Sequence, residues 1–210
     1  MHIYKDIDGK EYSSVTTIIH KVLVDPEPLL IWSNIMGFKH KKYEDLMKYS
    51  SDYGTLMHLV MEHYMKGEDI PPIDDPLLAC KINTTLDNFE RFCKKEGLDK
   101  SGTLYTEKTL ISQSLGYAGT IDWIGKFKDE MVIIDYKTSK VARLPFFIQL
   151  SAYDKLLQTE MAVKVDKAFI LTLREDHVRS YELSREDLDK YFEIFLLMKD
   201  LYNKLNIIKG

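Results

Sequence analysis

The sequence predicts an α/β fold in which a mixed central sheet is flanked by helices, with a mostly helical region at the N-terminus. Helical periodicity dominates residues 1–100, three strand-like segments follow between residues 103 and 137, and helices then alternate with strands to the end of the chain. A chain of 210 residues is long enough for one domain with a full core. We therefore expect a single domain over residues 1–210, with its core at residues 101–210.

Turn and capping residues divide the N-terminal region into predicted elements. Asp8 and Gly9 form the turn of a short hairpin over residues 1–12, and Ser13 or Ser14 caps a helix that reaches Leu23. Further helices are predicted from about residue 29, over residues 39–49, from residue 54 to residue 67 and over residues 77–96. The polar residues 50–52 are expected to separate helix 39–49 from the helix that begins at residue 54.

The C-terminal half has the pattern of a sheet with interspersed helices. Residues 103–112, 117–127 and 131–137 are rich in Thr, Ile, Val and Tyr, which is typical of consecutive antiparallel strands. A helix is predicted over residues 145–159, and two more strands over residues 166–174 and 178–183. Ser184 and Asp187 cap a final helix that runs to about Asn206.

Charge limits the classes of function without deciding among them. The formal net charge of −4 counts mildly against nucleic-acid binding, which then has to rely on local basic patches. The candidate patches are Lys39–Lys42, Lys94 with Lys95, and Lys137 with Lys140 and Arg143. Ordinary solvent exposure explains the first two at least as well as DNA contact does.

Cysteine usage and hydropathy bear on location. Cys80 and Cys93 are too few for a four-cysteine zinc or iron–sulfur site, and we expect them to be reduced thiols of an intracellular protein. No apolar run approaches the roughly 18 residues of a membrane span, and no signal or transit pattern opens the chain. The expected location is cytoplasmic, without a membrane partner.

Two aspartates and a lysine form the most informative pattern. Asp135 and Lys137 lie two positions apart on a predicted strand, so their side chains share one face while Tyr136 points to the other. If the preceding hairpin turns at Lys128–Asp129, Asp122 faces Asp135 with Cβ atoms about 5 Å apart. The sequence therefore predicts two opposed carboxylates beside a lysine.

Opposed carboxylates repel each other unless something neutralises them, and a divalent cation such as Mg²⁺ does so. Such an ion can activate water and polarise a phosphate, while a neighbouring lysine stabilises the developing negative charge. These are the groups that phosphodiester hydrolysis requires. The alternative is a surface network of cross-strand ion pairs. The apolar run Val132–Ile134 favours a site, because it indicates a buried strand with charges at its end.

Two helices carry further candidates. His58 and Glu62 are four residues apart and share a helix face, so that His58 could be a third metal ligand. Gln149 and Tyr153 share a face of the helix that follows the Asp135–Lys137 strand. Taken alone, a histidine such as His58 is more often an ordinary partly buried histidine, and the Gln149–Tyr153 pair is an ordinary polar edge of an amphipathic helix.

Together these motifs resemble the RecB-type branch of the PD-(D/E)XK nucleases. That branch combines a helix histidine, an aspartate before a hairpin, a D/E-x-K strand and a Q-x-x-x-Y helix, in the order found here. The segments Tyr12–Ile19 and Leu29–Trp32 are similar to the opening of phage-encoded exonucleases and of mitochondrial genome-maintenance exonucleases. The resemblance covers residues 12–155. The chain differs from the sub-branch that carries an iron–sulfur cluster, because it lacks the cysteines that bind such a cluster.

The resemblance implies a restriction-endonuclease-like core with helices over the site and Mg²⁺ or Mn²⁺ as cofactor. It implies that His58, Asp122, Asp135 and the carbonyl of Tyr136 bind the metal and that Lys137 is the catalytic lysine. Gln149 and Tyr153 would position the lysine, the water or the DNA. Glu107, on the first strand, would support the site.

The function expected from the resemblance is a DNA exonuclease that prefers single strands with a free end. Aromatic residues of the helical region could stack bases, although core packing is the favoured explanation for at least three of these five: Trp32, Phe38, Tyr43, Tyr49 and Tyr53. The alternatives are a structure-specific or flap endonuclease and a nucleic-acid-binding subunit without catalysis. The expected partner is DNA. In DNA repair or recombination, replication and recombination proteins are further expected partners. A phage-encoded enzyme would work in the host cytoplasm.

Overall fold

The computed structural model describes residues 3–23, 33 and 42–209. The helix predicted from about residue 29 and the side chains of Trp32, Phe38 and Tyr43 lie outside this description, as do those of residues 39–41. The described elements are β1 (Ile3–Lys5), β2 (Glu11–Ser13), α1 (Val15–Val22), α2 (Tyr43–Lys66), α3 (Pro76–Glu96), a 3-10 turn (Lys100–Gly102), β3 (Thr103–Ser112), β4 (Tyr117–Phe127), β5 (Glu130–Lys137), α4 (Leu144–Met161), β6 (Lys167–Leu173), β7 (Val178–Leu183) and α5 (Arg185–Lys209).

A five-stranded mixed sheet with the order β3-β4-β5-β6-β7 forms the centre of the fold. Strands β5 and β6 are parallel, and every other neighbouring pair is antiparallel. The parallel pair requires a crossover, which α4 provides. The predicted α/β fold with a mixed central sheet flanked by helices is therefore confirmed, and so are the predicted strands of the C-terminal half, to within a residue or two.

Each face of the sheet is covered by its own helices and has its own hydrophobic core. On one face Ile121 and Ile133 pack with Ile18 of α1, Leu156 of α4 and Phe195 of α5. The opposite core joins the sheet to α2 and α3 through the buried residues Trp123, Ile134, Met57, Met61, Ile82 and Phe89. The end of β5 thus lies between two helical layers, and side chains there can meet groups from either one.

Local signals set the helix boundaries. Ser14 accepts a hydrogen bond from the backbone N–H of Thr17 at 2.9 Å and so caps α1, as the sequence predicted. Gly67 and Gly97 end α2 and α3 in the left-handed conformation, with φ of 72° and 79°. Among the helices in the described ranges, none combines the length and the apolarity that a membrane span needs.

The predicted break between helix 39–49 and the helix from residue 54 is wrong, because α2 runs without interruption from Tyr43 to Lys66. Ser50, Ser51 and Asp52 are exposed, whereas Tyr53 is buried. The polar run therefore marks the solvent face of a continuous helix rather than a turn. Packing of the buried face against the sheet outweighs the weak local preference of these residues for a helix end.

Candidate active site

The hairpin of β4 and β5 brings the two predicted aspartates to the same end of the sheet. Its ladder pairs Phe127 with Glu130 and Trp123 with Ile134, which is the register expected from a turn at Lys128–Asp129. Both turn residues have positive φ, at 52° and 66°, as a tight two-residue hairpin requires. Asp122 and Asp135 are the next residues beyond the last paired position.

Asp122 is fixed there by the backbone of β5. Its Oδ2 accepts a hydrogen bond from the backbone N–H of Tyr136 at 2.7 Å, and its side chain is only 8% exposed. The ring of Tyr136 points to the opposite face, where it meets Phe89 edge to face at 5.8 Å. The predicted alternation of side chains along β5 is thus observed.

A short polar chain fixes Asp135 on the face of α4. Lys137 Nζ donates to Asp135 Oδ1 at 2.8 Å and lies 2.6 Å from Oδ2. Gln149 Nε2 donates to Asp135 Oδ1 at 3.0 Å and to the hydroxyl of Tyr153 at 2.9 Å. Asp135 Oδ2 is buried and accepts no hydrogen bond of regular geometry from the described residues. The structure thus joins all four predicted side chains in one network.

His58 reaches the site from α2 and meets two carboxylates. Its Nδ1 lies 3.4 Å from Asp122 Oδ2 and 3.6 Å from Glu107 Oε1. One ligand atom from each of these three residues lies within 4.8 Å of the others, which is the spacing of a potential metal site. Glu62, the other residue of the predicted helix face, instead pairs with Lys66 at 2.6 Å and is not part of the cluster.

Glu107 joins the cluster from β3, where its own backbone conformation is irregular. The β3–β4 ladder pairs Thr106 with Trp123 and Lys108 with Ile121, so Glu107 falls opposite Asp122. Glu107 has a φ of 46°, which is unusual for a non-glycine residue within a strand and costs about 1–3 kcal/mol. The resemblance implied only a supporting role for Glu107. Extending the β3–β4 hairpin register from its turn would have placed it opposite Asp122.

Charge pairing shifts the titration of His58 and Asp122 in opposite directions. Burial disfavours the protonated ring, but the charge and hydrogen bond of Asp122 and the hydrogen bond of Glu107 outweigh it, raising the pKa of His58 to about 10. Burial likewise opposes ionisation of Asp122, yet His58 lowers the pKa of this carboxyl below its ordinary value. His58 is therefore a cation and Asp122 an anion in the metal-free protein at neutral pH.

Asp135 behaves differently from Asp122. Burial raises its pKa to about 6, with the charge of Asp122 adding to the effect and that of Lys137 opposing it. Lys137 also loses solvation, but Asp135 and Asp122 more than compensate and raise its pKa. The two aspartates thus have separated titrations in one site, a pattern common where acid–base chemistry is performed.

Protein cations lie beside both of the opposed carboxylates, which the sequence reasoning did not predict for Asp122. Lys137 pairs with Asp135, and His58 pairs with Asp122. A metal ion that enters the site therefore has to displace or rearrange these protein cations. Above all, it has to displace the proton of His58.

The remaining residues predicted to contact DNA are aromatic residues and basic patches. Tyr53 is 4% exposed and bonds its hydroxyl to Thr85, so it is a core residue rather than a platform for bases. Tyr49 is 39% exposed and stays a candidate. In the described part of the predicted basic patches, the exposed side chains are Lys42, Lys94, Lys95, Lys140 and Arg143.

No protein-family model matches the chain, and no curated protein matches it. Solved structures to which the chain is similar include a candidate exonuclease from Eubacterium rectale, with 11% identity over 71% of this chain and 68% of its own and a TM-score of 0.45. The protein SSO0001 shares 15% identity over 69% of this chain and 75% of its own, at a TM-score of 0.32. LHK-Exo, solved in complex with dAMP, shares 13% identity over 94% of this chain and 93% of its own, at a TM-score of 0.32. At these identities and TM-scores, the likenesses assign no role to the residues of the site.

Proposed function

We propose that this protein is a metal-dependent nuclease of the RecB-type PD-(D/E)XK branch that hydrolyses phosphodiester bonds of DNA. The observation that carries the proposal is the juxtaposition of two groups. One is the ligand cluster of His58, Glu107 and Asp122, and the other is the Asp135–Lys137 pair at the end of the adjoining strand. Neither group alone requires this function, but together they supply cation binding and charge stabilisation in one place.

The donor set fits a hard divalent cation. His58, Glu107 and Asp122 would hold Mg²⁺ or Mn²⁺, with Asp135 as a further ligand because its buried Oδ2 lacks a regular hydrogen bond. The Tyr136 carbonyl stays in the proposal as the ligand that the resemblance implies. Such an ion supplies polarisation of a phosphate oxygen and a lowered pKa of water.

The remaining roles fall to side chains of the protein. Hydrolysis forms a bond between phosphorus and a water oxygen and breaks the bond to the leaving oxygen, and negative charge grows on the phosphate. Lys137, protonated and partly buried, can stabilise that charge by donating from Nζ. Gln149 holds the Asp135 carboxylate, and Tyr153 holds Gln149, so that neither has to reorient during the reaction.

Degradation of end-labelled single- and double-stranded DNA with Mg²⁺, Mn²⁺ or EDTA tests this function. We expect EDTA to abolish cleavage, and Asp122→Asn and Lys137→Ala each to slow it by about a hundredfold or more. Lys167→Ala is the matched control, because Lys167 is a partly exposed lysine at the start of β6 that pairs with Glu130 and Glu182, at the other end of the β5–β6 ladder from Lys137. Cleavage that survives EDTA, or an Asp122→Asn variant of full activity, would contradict the proposal. DNA binding without cleavage would favour the non-catalytic alternative.

We further propose that the enzyme acts on single strands from a free end. Helix α2 supports this, because it crosses one side of the sheet next to the site. In the middle of α2, Gly54 lies so close to the residue after β5 that a Cβ on it would meet Thr138 Oγ1 at 3.7 Å. Near the end of α2, the carbonyl of Met65 accepts a hydrogen bond from the Thr103 hydroxyl on the edge strand at 3.4 Å. A helix so placed restricts the approach of a duplex more than that of one strand.

Linear and circular single strands of identical sequence distinguish exonuclease from endonuclease action. We expect the linear strand to be degraded at least about tenfold faster, because the circle offers no end. Equal rates would favour the endonuclease alternative, with the same catalytic residues.

A further inference from the structure

Gly119 of β4 makes an unusually close contact with α4. An ideal Cβ built on this glycine would lie 2.4 Å from Tyr153 Cε1, 3.0 Å from Tyr153 Cδ1 and 3.4 Å from Leu156 Cδ1. Carbon atoms do not approach to 2.4 Å, so any side chain here has to displace the tyrosine ring. Glycine inside a strand weakens it, and a close approach of this kind is one reason for its presence.

The tyrosine ring has little freedom to move away. Tyr153 is 4% exposed, and its neighbour on the helix, Leu156, is fully buried. The far end of the ring is fixed as well, because its hydroxyl accepts a hydrogen bond from Gln149 Nε2 at 2.9 Å. A ring pushed away from β4 therefore has to carry this hydroxyl with it.

The same amide nitrogen connects Tyr153 to the charged centre. Gln149 Nε2 donates to Asp135 Oδ1 at 3.0 Å, and that oxygen also accepts from Lys137 at 2.8 Å. A contact on β4 is thus linked, through one ring and one amide, to the carboxylate that holds the lysine.

We propose that Gly119 is a positioning residue, whose lack of a side chain sets the Tyr153 ring and through it the orientation of Gln149 and Asp135. The inference rests on the proposed function for its catalytic consequence, but its geometric part stands independently. Gly119 itself touches neither substrate nor metal. Its effect reaches the site through the Tyr153–Gln149–Asp135 chain.

The first test is Gly119→Ala, with Gly54→Ala as the matched control. A Cβ at Gly54 meets only Thr138 Oγ1 at an ordinary 3.7 Å, so the control adds the same methyl close to the site without a clash. In the metal-free proteins, the side-chain amide resonances of Gln149 should shift in Gly119→Ala and stay in place in Gly54→Ala. Unmoved Gln149 resonances in Gly119→Ala would overturn the proposal whether or not the protein is a nuclease.

Kinetics supply the second readout. A displacement of an ångström at a reacting group can cost on the order of a hundredfold in rate, so we expect kcat of Gly119→Ala to fall by about tenfold or more. The KM for DNA should change less than about twofold, because Gly119 touches no substrate. If the KM of Gly119→Ala rises by the same factor as its kcat falls, the positioning role is overturned. Absence of cleavage by the wild type would refute the proposed function and leave the resonance test intact.

A double-mutant cycle identifies the ring as the connecting group. Tyr153→Ala removes the atoms that clash, so adding Gly119→Ala to that background should cause no further loss of kcat and no further change at Gln149. If Gly119→Ala does not fold, the double variant should restore folding. Equal losses in both backgrounds, or a double variant that also fails to fold, would show that Gly119 acts through some other contact.

Discussion

The charged groups of the candidate site form two pairs of opposite sign, the partly exposed His58 with buried Asp122 and the partly exposed Lys137 with buried Asp135. Removal of one member therefore changes both the chemistry and the electrostatic balance of its neighbours. Variants at single residues can separate these two effects, because the groups titrate in different ranges of pH.

Asp135→Asn should reduce cleavage by about a hundredfold or more while its effect on stability depends on pH. The folded pKa of Asp135, about 6, is above the ordinary 3.8, so ionisation is less favourable in the folded protein. The stabilising effect of the protonated form is complete below pH 3.8 and is lost as the pH rises through about 6. The neutral amide avoids this loss.

Metal-free Asp135→Asn should accordingly gain thermal stability relative to wild type at pH 8 and lose that advantage near pH 4. Thermal unfolding at both pH values measures the difference, with the exposed Asp200→Asn as control. A variant that is less stable at pH 8 than at pH 4, relative to wild type, would show that pairing with Lys137 dominates instead.

His58 should release a proton when the site binds Mn²⁺. Its pKa of about 10 means that the ring is protonated near neutral pH, and a metal ligand needs the free lone pair. Apparent affinity should therefore rise with pH, by up to about tenfold per pH unit below the pKa of His58. Calorimetric titration in two buffers of different ionisation enthalpy should report about one proton per ion for wild type and none for His58→Gln. If the wild type binds Mn²⁺ without releasing a proton, His58 has a structural role and is not a metal ligand.

Glu107→Gly should weaken Mn²⁺ binding without destabilising the fold. Glycine accepts the φ of 46° freely, which offsets the loss of about 0.5–1 kcal/mol that glycine usually causes in a strand. Metal affinity should fall by at least about tenfold. Lys108→Gly, one residue further along β3, is the control and should lose stability while keeping metal affinity. A destabilised Glu107→Gly would mean that the backbone is not strained there.

At the level of helices and strands, an ion pair between a buried aspartate and a partly exposed arginine joins α4 to the start of α5. Asp154 is 1% exposed, pairs with Arg185, and has one oxygen without a hydrogen-bond partner among the described residues. Arg185→Met should cost about 3 kcal/mol of unfolding free energy, because it leaves a buried carboxylate unpaired. Replacing both residues, as Asp154→Leu with Arg185→Met, should recover most of that loss.

Urea unfolding of these variants measures the effect, with Lys190→Ala as control. Lys190 pairs with Glu186 at 2.6 Å, but both side chains are mostly exposed, so the control should cost less than about 1 kcal/mol. A loss at Arg185 no larger than at Lys190 would mean that water reaches Asp154.

Sequence periodicity predicted most elements correctly where local and tertiary preferences agree. Strand β4 was placed to the residue from its content of strand-forming residues, and the turn assumed at Lys128–Asp129 is the one observed. Helix α2 was divided wrongly at residues 50–52, because local polarity does not reveal which face a helix presents to solvent. The bounds of helices capped by Gly67 and Gly97 were also predictable.

For the molecule as a whole, metal binding should appear as added stability. An ion that binds only the folded state stabilises it by about 2.7 kcal/mol at a hundredfold excess over its Kd, which corresponds to about 5–10 °C in Tm for a chain of this size. Mn²⁺ should raise the Tm of wild type by such an amount and leave that of Asp122→Asn nearly unchanged. Equal shifts in both proteins would place the binding site elsewhere.

The positions of the residues in the candidate site were more predictable than the contacts among their side chains. The alternation of β5 and the register of its hairpin placed Asp135, Lys137 and Asp122 together, because both follow from strand geometry. The pairing of His58 with Asp122 was not predictable, since it depends on the approach of α2 to the sheet, whereas the pairing of Lys137 with Asp135 follows from their shared face of β5. The left-handed backbone of Glu107 likewise arises from the paired strands and leaves no local signal.

The parallel pairing of β5 with β6 has a consequence for the order of folding. Strands β3, β4 and β5 are joined by short turns at residues 113–116 and 128–129, whereas β6 can pair with β5 only after the intervening residues 138–166 have been organised. Contacts between residues close in sequence form with a smaller loss of chain entropy, so the three-stranded meander is the natural nucleus and the crossover follows it. Glu107, Asp122, Asp135 and Lys137 would then be assembled early, and Gln149 and Tyr153 would reach them only when α4 packs onto the sheet.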